Sequence, residues 1–510
     1  MTNVKRFGRL ISLALVVAML LSCAATLGGC STAEDPTGDS SDSTSLESES
    51  VTDGEDHRFD NVNYDGREFR IYTSTSISNT ALGSSNFMIE GLGETNGDMI
   101  NDAVFERNVS VEEMLGVELV FTQADLGYQQ VAPTLRRLAV SGTDEFDLVI
   151  NDVFGFADLV IEGNFRNVLD EDCVFDFNQN YWYKDYMEDL RLMNGYQYIL
   201  AGDYFIDILR CARLLILNKQ LYSDYYHRSA DELYDVVLDY EWTYDRLLEI
   251  VSDKYDDKNG NGVRDLGDQY GFMENGYWYG CVGFAVSGNP NFITRDEDGI
   301  PTVVIHEGDR SNQLAAKMTA LFNNSSTALD LAGGVDLLAA FTEGDCFVTP
   351  LKLGMLENTL LREMEDDCVV LPHPMLFASD KKYTTSAHDI TEMGAILTTA
   401  EDMEFISTVI EVLNRETAKT VMPVYYDEKL QVQYVDDEHS GAVIDIIHDN
   451  FDNSFILAYN HILNYSILES FAAAMMENRE FSAVYAKNKN SVARVLASKI
   501  QKFQEKNHAY

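Results

Sequence analysis

The chain has few of the residues that mark linkers or disulfide frameworks. Only eight prolines occur in 510 residues, so no internal linker is evident. The seven cysteines include no CxxC pair, and their spacing is too scattered for a disulfide framework. We therefore expect most of them to be small, buried, unpaired side chains.

Positive charge is also scarce. The chain contains 37 lysines and arginines against 84 aspartates and glutamates, a net charge of −47. A surface this acidic repels nucleic acid and anionic lipid headgroups, which argues against a nucleic-acid-binding function. It also disfavours an anionic ligand, although a single basic pocket would override the overall field.

Motifs of several enzyme classes are missing. There is no GxSxG and no P-loop, and His306-Glu307 lacks the second histidine of a zinc protease. Acidic residues are so numerous that some carboxylates will pair by chance, so a pair is not by itself evidence for hydrolysis. We expect a protein that is not an enzyme.

The first thirty residues have the pattern of a bacterial lipoprotein signal. Basic residues precede an apolar run at 10–21, which is shorter than the roughly 20 residues needed to span a bilayer. The sequence Leu-Gly-Gly-Cys ending at Cys30 resembles a lipobox, which implies removal of residues 1–29 and lipidation of Cys30. Segment 30–63 is largely polar and is predicted to be a flexible tether. These features predict a lipid-anchored protein on the extracytoplasmic face of the cell membrane.

From residue 64 onward, short apolar strands alternate with amphipathic helices, which is typical of doubly wound α/β folds. A hairpin is predicted around Asn194-Gly195. About 450 ordered residues exceed a single core and predict at least two domains. We expect strands at 69–73, 117–122, 146–150, 214–217, 346–348 and 368–371, and a helix at 101–117.

Several short motifs follow one another in a fixed order. They are NDAVFERN at 101–108, FDLV at 146–149, LNKQL at 217–221, WTYD at 242–245 and FTEG at 341–344. In this order, and together with the lipobox, the chain resembles the extracellular solute-binding proteins of family 1. These are carbohydrate-binding lipoproteins of ABC importers.

The resemblance implies a periplasmic-binding-protein-like α/β fold of two lobes with a ligand cleft between them. Each lobe would be a doubly wound sheet with helices, lobe 1 from 64–210 and 345–400 and lobe 2 from 211–344 and 401–510. The implied function is capture of a sugar or oligosaccharide by a monomer that delivers it to an ABC transporter permease. A secreted lipoprotein glycosidase and a peptide receptor on the same fold are the alternatives.

Segment 257–268 has the spacing of an EF-hand calcium loop. A strand rather than a helix is expected after it, which favours a structural calcium ion over a switching site. Aspartate at the last position is one methylene shorter than the usual glutamate, which disfavours bidentate binding, and a polar surface turn is the alternative. The predicted calcium ligands are Asp257, Asn259, Asn261, the Val263 carbonyl, Asp265 and Asp268.

Aromatic residues near glycines are candidates for stacking on a sugar ring. Tyr277 and Trp278 lie between Gly276 and Gly280, where the backbone can approach a ligand closely. Trp182, flanked by two tyrosines, is a similar candidate. Packing within or between the lobes is the alternative role for these side chains.

Polar residues after predicted strands form a second set of ligand-binding candidates. Ligands of doubly wound sheets lie beyond the carboxyl ends of the strands. Ser74, Asp152, Asp203 and Tyr204 occupy such positions. Ordinary turn and capping roles are the alternative.

Overall fold

The computed structural model describes residues 57–74, 86–124, 126–329, 337–388, 391–426 and 438–507. The predicted signal segment, Cys30 and most of the predicted tether lie outside these ranges. Among the described residues, no helix is both long enough and apolar enough to cross a bilayer.

The first sheet contains β1 (Arg67–Ser74), β2 (Val117–Ala124), β3 (Leu148–Asp152), β4 (Ile199–Leu200) and β12 (Glu392–Ala395). The strand order is β2-β1-β3-β12-β4. Strand β1 is parallel to β2 and β3, whereas β12 runs antiparallel to β3 and β4. The carboxyl ends of β1 to β4 therefore share one edge with the start of β12.

The second sheet contains β5 (Arg213–Asn218), β6 (Tyr270–Glu274), β9 (Thr327–Leu329), β10 (Cys346–Lys352) and β11 (Cys368–Pro372). Its order is β11-β5-β10-β6-β9, with β5 antiparallel to both neighbours and the others parallel. The carboxyl ends of β6, β9, β10 and β11 thus lie beside the start of β5. A separate hairpin consists of β7 (Ile293–Arg295) and β8 (Pro301–Val303).

Helices connect these strands and form the C-terminal part of the chain. Short 3-10 turns occur at Leu353–Glu357 and Ala378–Asp380, and a π-helical turn at Thr417–Val421. The α-helices are α1 (Asn86–Ile89), α2 (Met99–Leu115), α3 (Tyr128–Ser141), α4 (Val153–Glu162), α5 (Lys184–Asp189), α6 (Asp207–Arg210), α7 (Lys219–Tyr226), α8 (Glu232–Leu238), α9 (Tyr244–Val251), α10 (Gly276–Ser287), α11 (Arg310–Phe322), α12 (Leu337–Thr342), α13 (Thr359–Arg362), α14 (Met403–Glu416), α15 (Met422–Tyr425), α16 (Glu438–Asp449), α17 (Ser454–Ala458), α18 (Leu468–Glu477), α19 (Phe481–Tyr485) and α20 (Lys489–Asn507).

Helix α2 shows how local sequence sets an element's ends. It begins at Met99, two residues before the predicted start, because Asp98 is the N-cap and accepts hydrogen bonds from the Ile100 and Asn101 N–H groups. It ends at Leu115, two residues before the predicted end, and Gly116 caps it with a φ of 59°, in the left-handed region that glycine adopts at little cost.

The predicted hairpin around Asn194-Gly195 is wrong. A turn is present there, but segment 191–198 contains no strand, and β4 pairs with β12 instead. The Asn194 N–H donates to the Asp298 carbonyl oxygen, so this turn docks against the loop of the β7–β8 hairpin. Asn194-Gly195 thus specifies a turn, but it does not specify which strands pair with each other.

Two segments carry the chain between the sheets, and they contact each other. Residues 201–212 lead from β4 to β5, and residues 373–391 lead from β11 to β12. The N–H of Arg213, the first residue after the first segment, donates to the Ser386 carbonyl oxygen of the second, at 2.9 Å. We call them the crossing segments.

The strand pairings bear on the predicted lobe boundaries. Strands β10 and β11, which the resemblance grouped with lobe 1, pair with β5 in the second sheet. The C-terminal helices, assigned to lobe 2, pack beside both sheets. Helix α16 packs on β11 and α18 on α10, next to the second sheet, whereas α17 and α20 pack on α4, next to the first sheet. The lobe boundaries themselves stay a prediction.

Cysteine usage agrees with the expectation from spacing. Four of the five described cysteines are buried, Cys173 is half-buried, and all five are free thiols. Cys346 and Cys368 each begin a strand of the second sheet, where they pack as small apolar side chains.

Candidate functional site

The carboxyl edges of the two sheets meet at the crossing segments. Glu392 lies opposite Asp152 in the first sheet, and its N–H donates to Asp207 Oδ2 at 3.0 Å. Burial raises the pKa of Asp207, and the positive charges of Arg210 and Lys352 act in the opposite direction. Since Lys352 ends β10, Asp207 interacts with both edges.

At the first edge, Asp152 acts as a helix cap. Strand β3 runs two residues beyond its predicted end, so Asp152 is the last residue of the strand and does not follow it. Its Oδ1 accepts a hydrogen bond from the Gly155 N–H at 2.8 Å and caps α4. Ser74 ends β1 on the same edge, but its side chain lies outside the described part of the structure.

Asp203 and Tyr204 follow β4 on this edge and are both buried. Asp203 accepts a hydrogen bond from the Tyr183 hydroxyl at 3.1 Å and lies 3.5 Å from His448 Nε2. Burial alone would lower the pKa of His448, but hydrogen bonds to Asp203 and Asp449 outweigh it and raise the pKa to about 9. Asp203 is therefore paired with a cationic imidazole at neutral pH.

Tyr204 combines a packed ring with an unsatisfied hydroxyl. The Arg107 guanidinium lies 4.9 Å from the centre of its ring, a cation–π distance. Its buried hydroxyl has no hydrogen-bond partner among the described residues. An unpaired buried hydroxyl costs free energy of folding.

Trp182 lies in a packed environment. Its side chain is 3% exposed, and Phe175 and Phe177 pack edge-on against it at 5.7 and 5.2 Å between ring centres. Its indole N–H donates to Glu411 Oε2 at 3.0 Å. The ring has no face open to solvent in this conformation, and its proposed contact with a ligand stays a prediction.

Tyr277 and Trp278 lie in the first turn of α10. Their side chains lie outside the described part of the structure. They follow Glu274, the last residue of β6, by three and four residues, and their backbone therefore lies near the carboxyl edge of the second sheet.

A small pocket of about 100 Å³, partly open to solvent, lies at this second edge. Residues at the ends of three parallel strands and at the start of β5 contribute to it, together with one face of α10. The pocket is lined by Arg213, Glu274, Gly280, Gly283, Pro350, Leu351, Lys352, Met355 and His373.

Two of these lining side chains are buried titratable groups. Burial raises the pKa of Glu274 to about 7. Burial, with a smaller contribution from the charge of Arg213, lowers the pKa of His373 to about 3. At neutral pH the His373 imidazole is thus uncharged, and Glu274 is close to half protonated.

Glycines on α10 allow this helix to lie directly on the charged groups. A Cβ on Gly280 would come within 2.5 Å of Glu274 Cγ. A Cβ on Gly283 would come within 3.1 Å of both Arg213 Cδ and His373 Cε1. The sequence predicted that glycines near Trp278 let the backbone approach a ligand. In the structure, Gly280 and Gly283 instead let α10 approach the side chains of the pocket wall.

Sequence reasoning missed the charged lining of this pocket. Glu274 and Lys352 end buried strands, and His373 follows one. The strand-end criterion that selected Asp152 would have selected them too. Arg213 could not be found that way, because it begins an antiparallel strand.

The predicted calcium loop has part of the expected geometry. Asp257 accepts hydrogen bonds from the Asn261 and Gly262 N–H groups, as the first residue of such a loop does. Asp268 is 1% exposed, and its Oδ1 has no hydrogen-bond partner among the described residues. However, no three His, Cys, Asp or Glu side chains in the described ranges are grouped closely enough to hold a metal.

No protein-family model and no curated protein match the chain. Solved structures match it. The GacH receptor of Streptomyces glaucescens, solved unliganded and with acarbose, aligns over 84% of this chain and 99% of its own, with 10% identity and a TM-score of 0.51. An ABC substrate-binding protein of Listeria monocytogenes in complex with cycloalternan aligns over 85% and 100%, with 12% identity and a TM-score of 0.52.

A cyclo/maltodextrin-binding protein complexed with maltotetraose aligns over 86% of this chain and 98% of its own. The identity is 11% and the TM-score 0.54. Similarity at this level of identity concerns the fold. It confirms that the chain has the two-lobed, periplasmic-binding-protein-like α/β architecture predicted from its sequence.

Proposed function

We propose that this protein is a solute-binding protein that captures a sugar or oligosaccharide non-covalently and delivers it to an ABC transporter permease. The observation that carries the proposal is the pocket at the carboxyl edge of the second sheet, next to the crossing segments. In a two-lobed fold, rotation about such segments would close the other edge over the ligand and exclude water. The similar structures that contain acarbose, cycloalternan or maltotetraose support a carbohydrate.

A thermal-shift screen of mono- and oligosaccharides, with peptides as the comparison set, tests this function. A ligand at a hundredfold excess over its Kd stabilises the native state by about 2.7 kcal/mol. We expect saccharides to raise the melting temperature and to be recovered unchanged after incubation. Cleavage of the saccharide would favour the glycosidase alternative, and stabilisation by peptides alone would favour the peptide receptor.

Membrane attachment through Cys30 is part of the proposal. We expect Cys30→Ser to shift the protein from the membrane fraction to the soluble or secreted fraction, because the diacylglyceryl group requires the thiol. Cys23→Ser, which lies within the predicted signal, is the matched control and should leave the distribution unchanged. Tight membrane association of the Cys30 variant would contradict the lipid anchor.

We also propose that segment 257–268 binds a structural calcium ion. The buried Asp268 Oδ1 and the Asp257 hydrogen bonds fit a loop that closes on a cation. A chelator should lower the melting temperature and added calcium should restore it, whereas Asp257→Ala should melt at the same temperature with and without calcium. Exposed Asp256, just before the loop, offers the control Asp256→Ala. A parent protein that does not respond to calcium would show that the loop is a polar turn.

A further inference from the structure

The C-terminal end of α16 lies where the chain passes once more between the two sheets. Helix α16 packs on β11 and α8, next to the second sheet. Residues 450–453 then lead to α17, which packs on α4 next to the first sheet. They also contact a crossing segment, because the Thr385 N–H donates to the Asn450 carbonyl oxygen at 2.8 Å. The last turn of α16 is therefore at the junction between the two sheets.

Two residues from opposite sides of this junction form an ion pair. His448, in the last turn of α16, places its Nε2 atom 3.5 Å from Asp203 Oδ1. Asp203 follows β4, and its N–H donates to the Tyr181 carbonyl oxygen at 3.0 Å, which fixes it beside the first sheet. His448 is fixed to the second sheet through α16. A change in the angle between the sheets would therefore change the distance between these two side chains.

The ion pair is largely shielded from water. The side chains of His448 and Asp203 are 16% and 7% exposed. The Tyr183 hydroxyl donates to Asp203 Oδ1 at 3.1 Å, and the Tyr183 ring packs edge-on against the imidazole with 5.3 Å between ring centres. The other ring nitrogen of His448, Nδ1, lies 2.7 Å from Asp449 Oδ1. Contacts of a charged group contribute more to stability than neutral ones, above all where water is excluded.

We infer that His448 and Asp203 form a hinge clamp, a contact that holds the two sheets at the angle seen in this structure. Alternative arrangements about a hinge are close in free energy, so the loss of one charged contact is enough to shift their populations. Breaking the hinge clamp should let the second-sheet side rotate about the crossing segments. The inference concerns the hinge alone and does not depend on which ligand the protein binds.

The charge of the hinge clamp depends on the protonation of His448. Burial alone would lower the pKa of its imidazole, but hydrogen bonds to Asp203 and Asp449 raise it to about 9. Among the described residues, the other titratable groups that face the imidazole are Tyr183, Tyr426 and Asp445. Burial raises the pKa of both tyrosine hydroxyls above the ordinary value of 10, so they keep their protons when the imidazole loses its own. The ion pair is therefore present at neutral pH and is lost as the pH rises through about 9.

Distances between two spin labels, measured by double electron–electron resonance on the ligand-free full-length protein, test the hinge clamp. Val140→Cys on α3 and Met476→Cys on α18 provide exposed labelling positions beside the first and the second sheet. The background replaces Cys23, Cys30 and Cys173 by serine and keeps the four buried cysteines. We expect His448→Gln and Asp203→Asn each to increase the population of a second distance about tenfold, equivalent to about 1.4 kcal/mol.

Helix α16 also provides the matched control. His439, near its start, pairs with Asp235 of α8 at 2.7 Å, so this histidine–aspartate pair lies wholly beside the second sheet. His439→Gln should leave the distances between the labels unchanged. Raising the pH from about 7.5 to about 10 should increase the second population in the parent protein but not in His448→Gln. Melting temperatures establish that each variant is folded.

Four results would overturn the hinge clamp. They are unchanged distances in His448→Gln and Asp203→Asn, an equal change in His439→Gln, a double variant that changes more than either single variant, and a parent distribution that stays constant as the pH rises through about 9. The last measurement needs no variant of the ion pair, so it decides the question even if a substitution prevents folding. Failure of the hinge clamp would leave the sugar-binding proposal intact, because the thermal-shift screen tests that proposal separately.

Discussion

Replacing Glu274 by glutamine is expected to stabilise the protein at pH 8 by on the order of 3 kcal/mol and to change its stability little near pH 4.5. The pKa of Glu274 is raised by burial from an ordinary value of 4.5 to about 7. Each pKa unit corresponds to about 1.36 kcal/mol. The folded state therefore holds a proton that the unfolded state has released between these two pH values.

The sign of the effect follows from proton linkage. Where the folded state binds more protons than the unfolded state, stability falls as the pH rises, so the contribution of Glu274 is lost between pH 4.5 and about 7. Glutamine cannot ionise and removes this dependence. Urea unfolding of variant and parent at pH 4.5, 6 and 8 measures the difference, with exposed Glu113→Gln as the control. A difference that is constant with pH would show that Glu274 is not held in its neutral form.

Replacing Trp278 by alanine is expected to weaken saccharide affinity about ten- to a hundredfold. A ring stacked on a sugar face buries apolar area worth on the order of 1–3 kcal/mol. The position supports this role, since the residue lies in the first turn of α10 at the carboxyl edge of the second sheet, four residues after Glu274. Titration with the saccharide identified by the thermal-shift screen measures the effect.

Trp182→Ala is the natural comparison for this experiment. Trp182 is enclosed by aromatic rings and hydrogen-bonded to Glu411, so its removal should cost about 3–5 kcal/mol of folding stability. We expect Trp278→Ala to lose affinity with little change in ligand-free stability. If Trp278→Ala instead loses as much stability as Trp182→Ala and retains full affinity, Trp278 is a core residue.

The sequence predicted buried strands well, for a physical reason. A strand covered on both faces must be apolar throughout, and the runs around Val149 and Val369 satisfy that condition and are fully buried. Helix ends were predicted to within about two residues where a cap or a glycine fixes them, as in α2. Strand pairing was less accessible, because Asn194-Gly195 specifies a turn but not the partner of β4.

The candidate site could likewise be predicted only in part from the sequence. Residues that follow strands can be recognised one at a time, and Ser74, Asp152, Asp203 and Tyr204 do lie at or near one sheet edge. The opposition of Arg213 and Lys352 depends on the register of two strands far apart in the chain. No local pattern reports such a register, so this part of the pocket required the fold.

The position of β12 in the first sheet has a consequence for how the chain folds. Residues 392–395 insert between β3 and β4, and β12 is the one neighbour of β4 among the strands that the structure describes. The first sheet therefore cannot close until most of the chain has been synthesised, and such distant pairing carries a large loop-closure entropy that slows folding. Until then, the edge of β3 is open to pairing with other chains. Strand β12 is the last strand of this sheet in the sequence. We therefore expect the refolding yield to fall as the protein concentration rises, because the open edge of β3 can pair with another chain before β12 pairs with it.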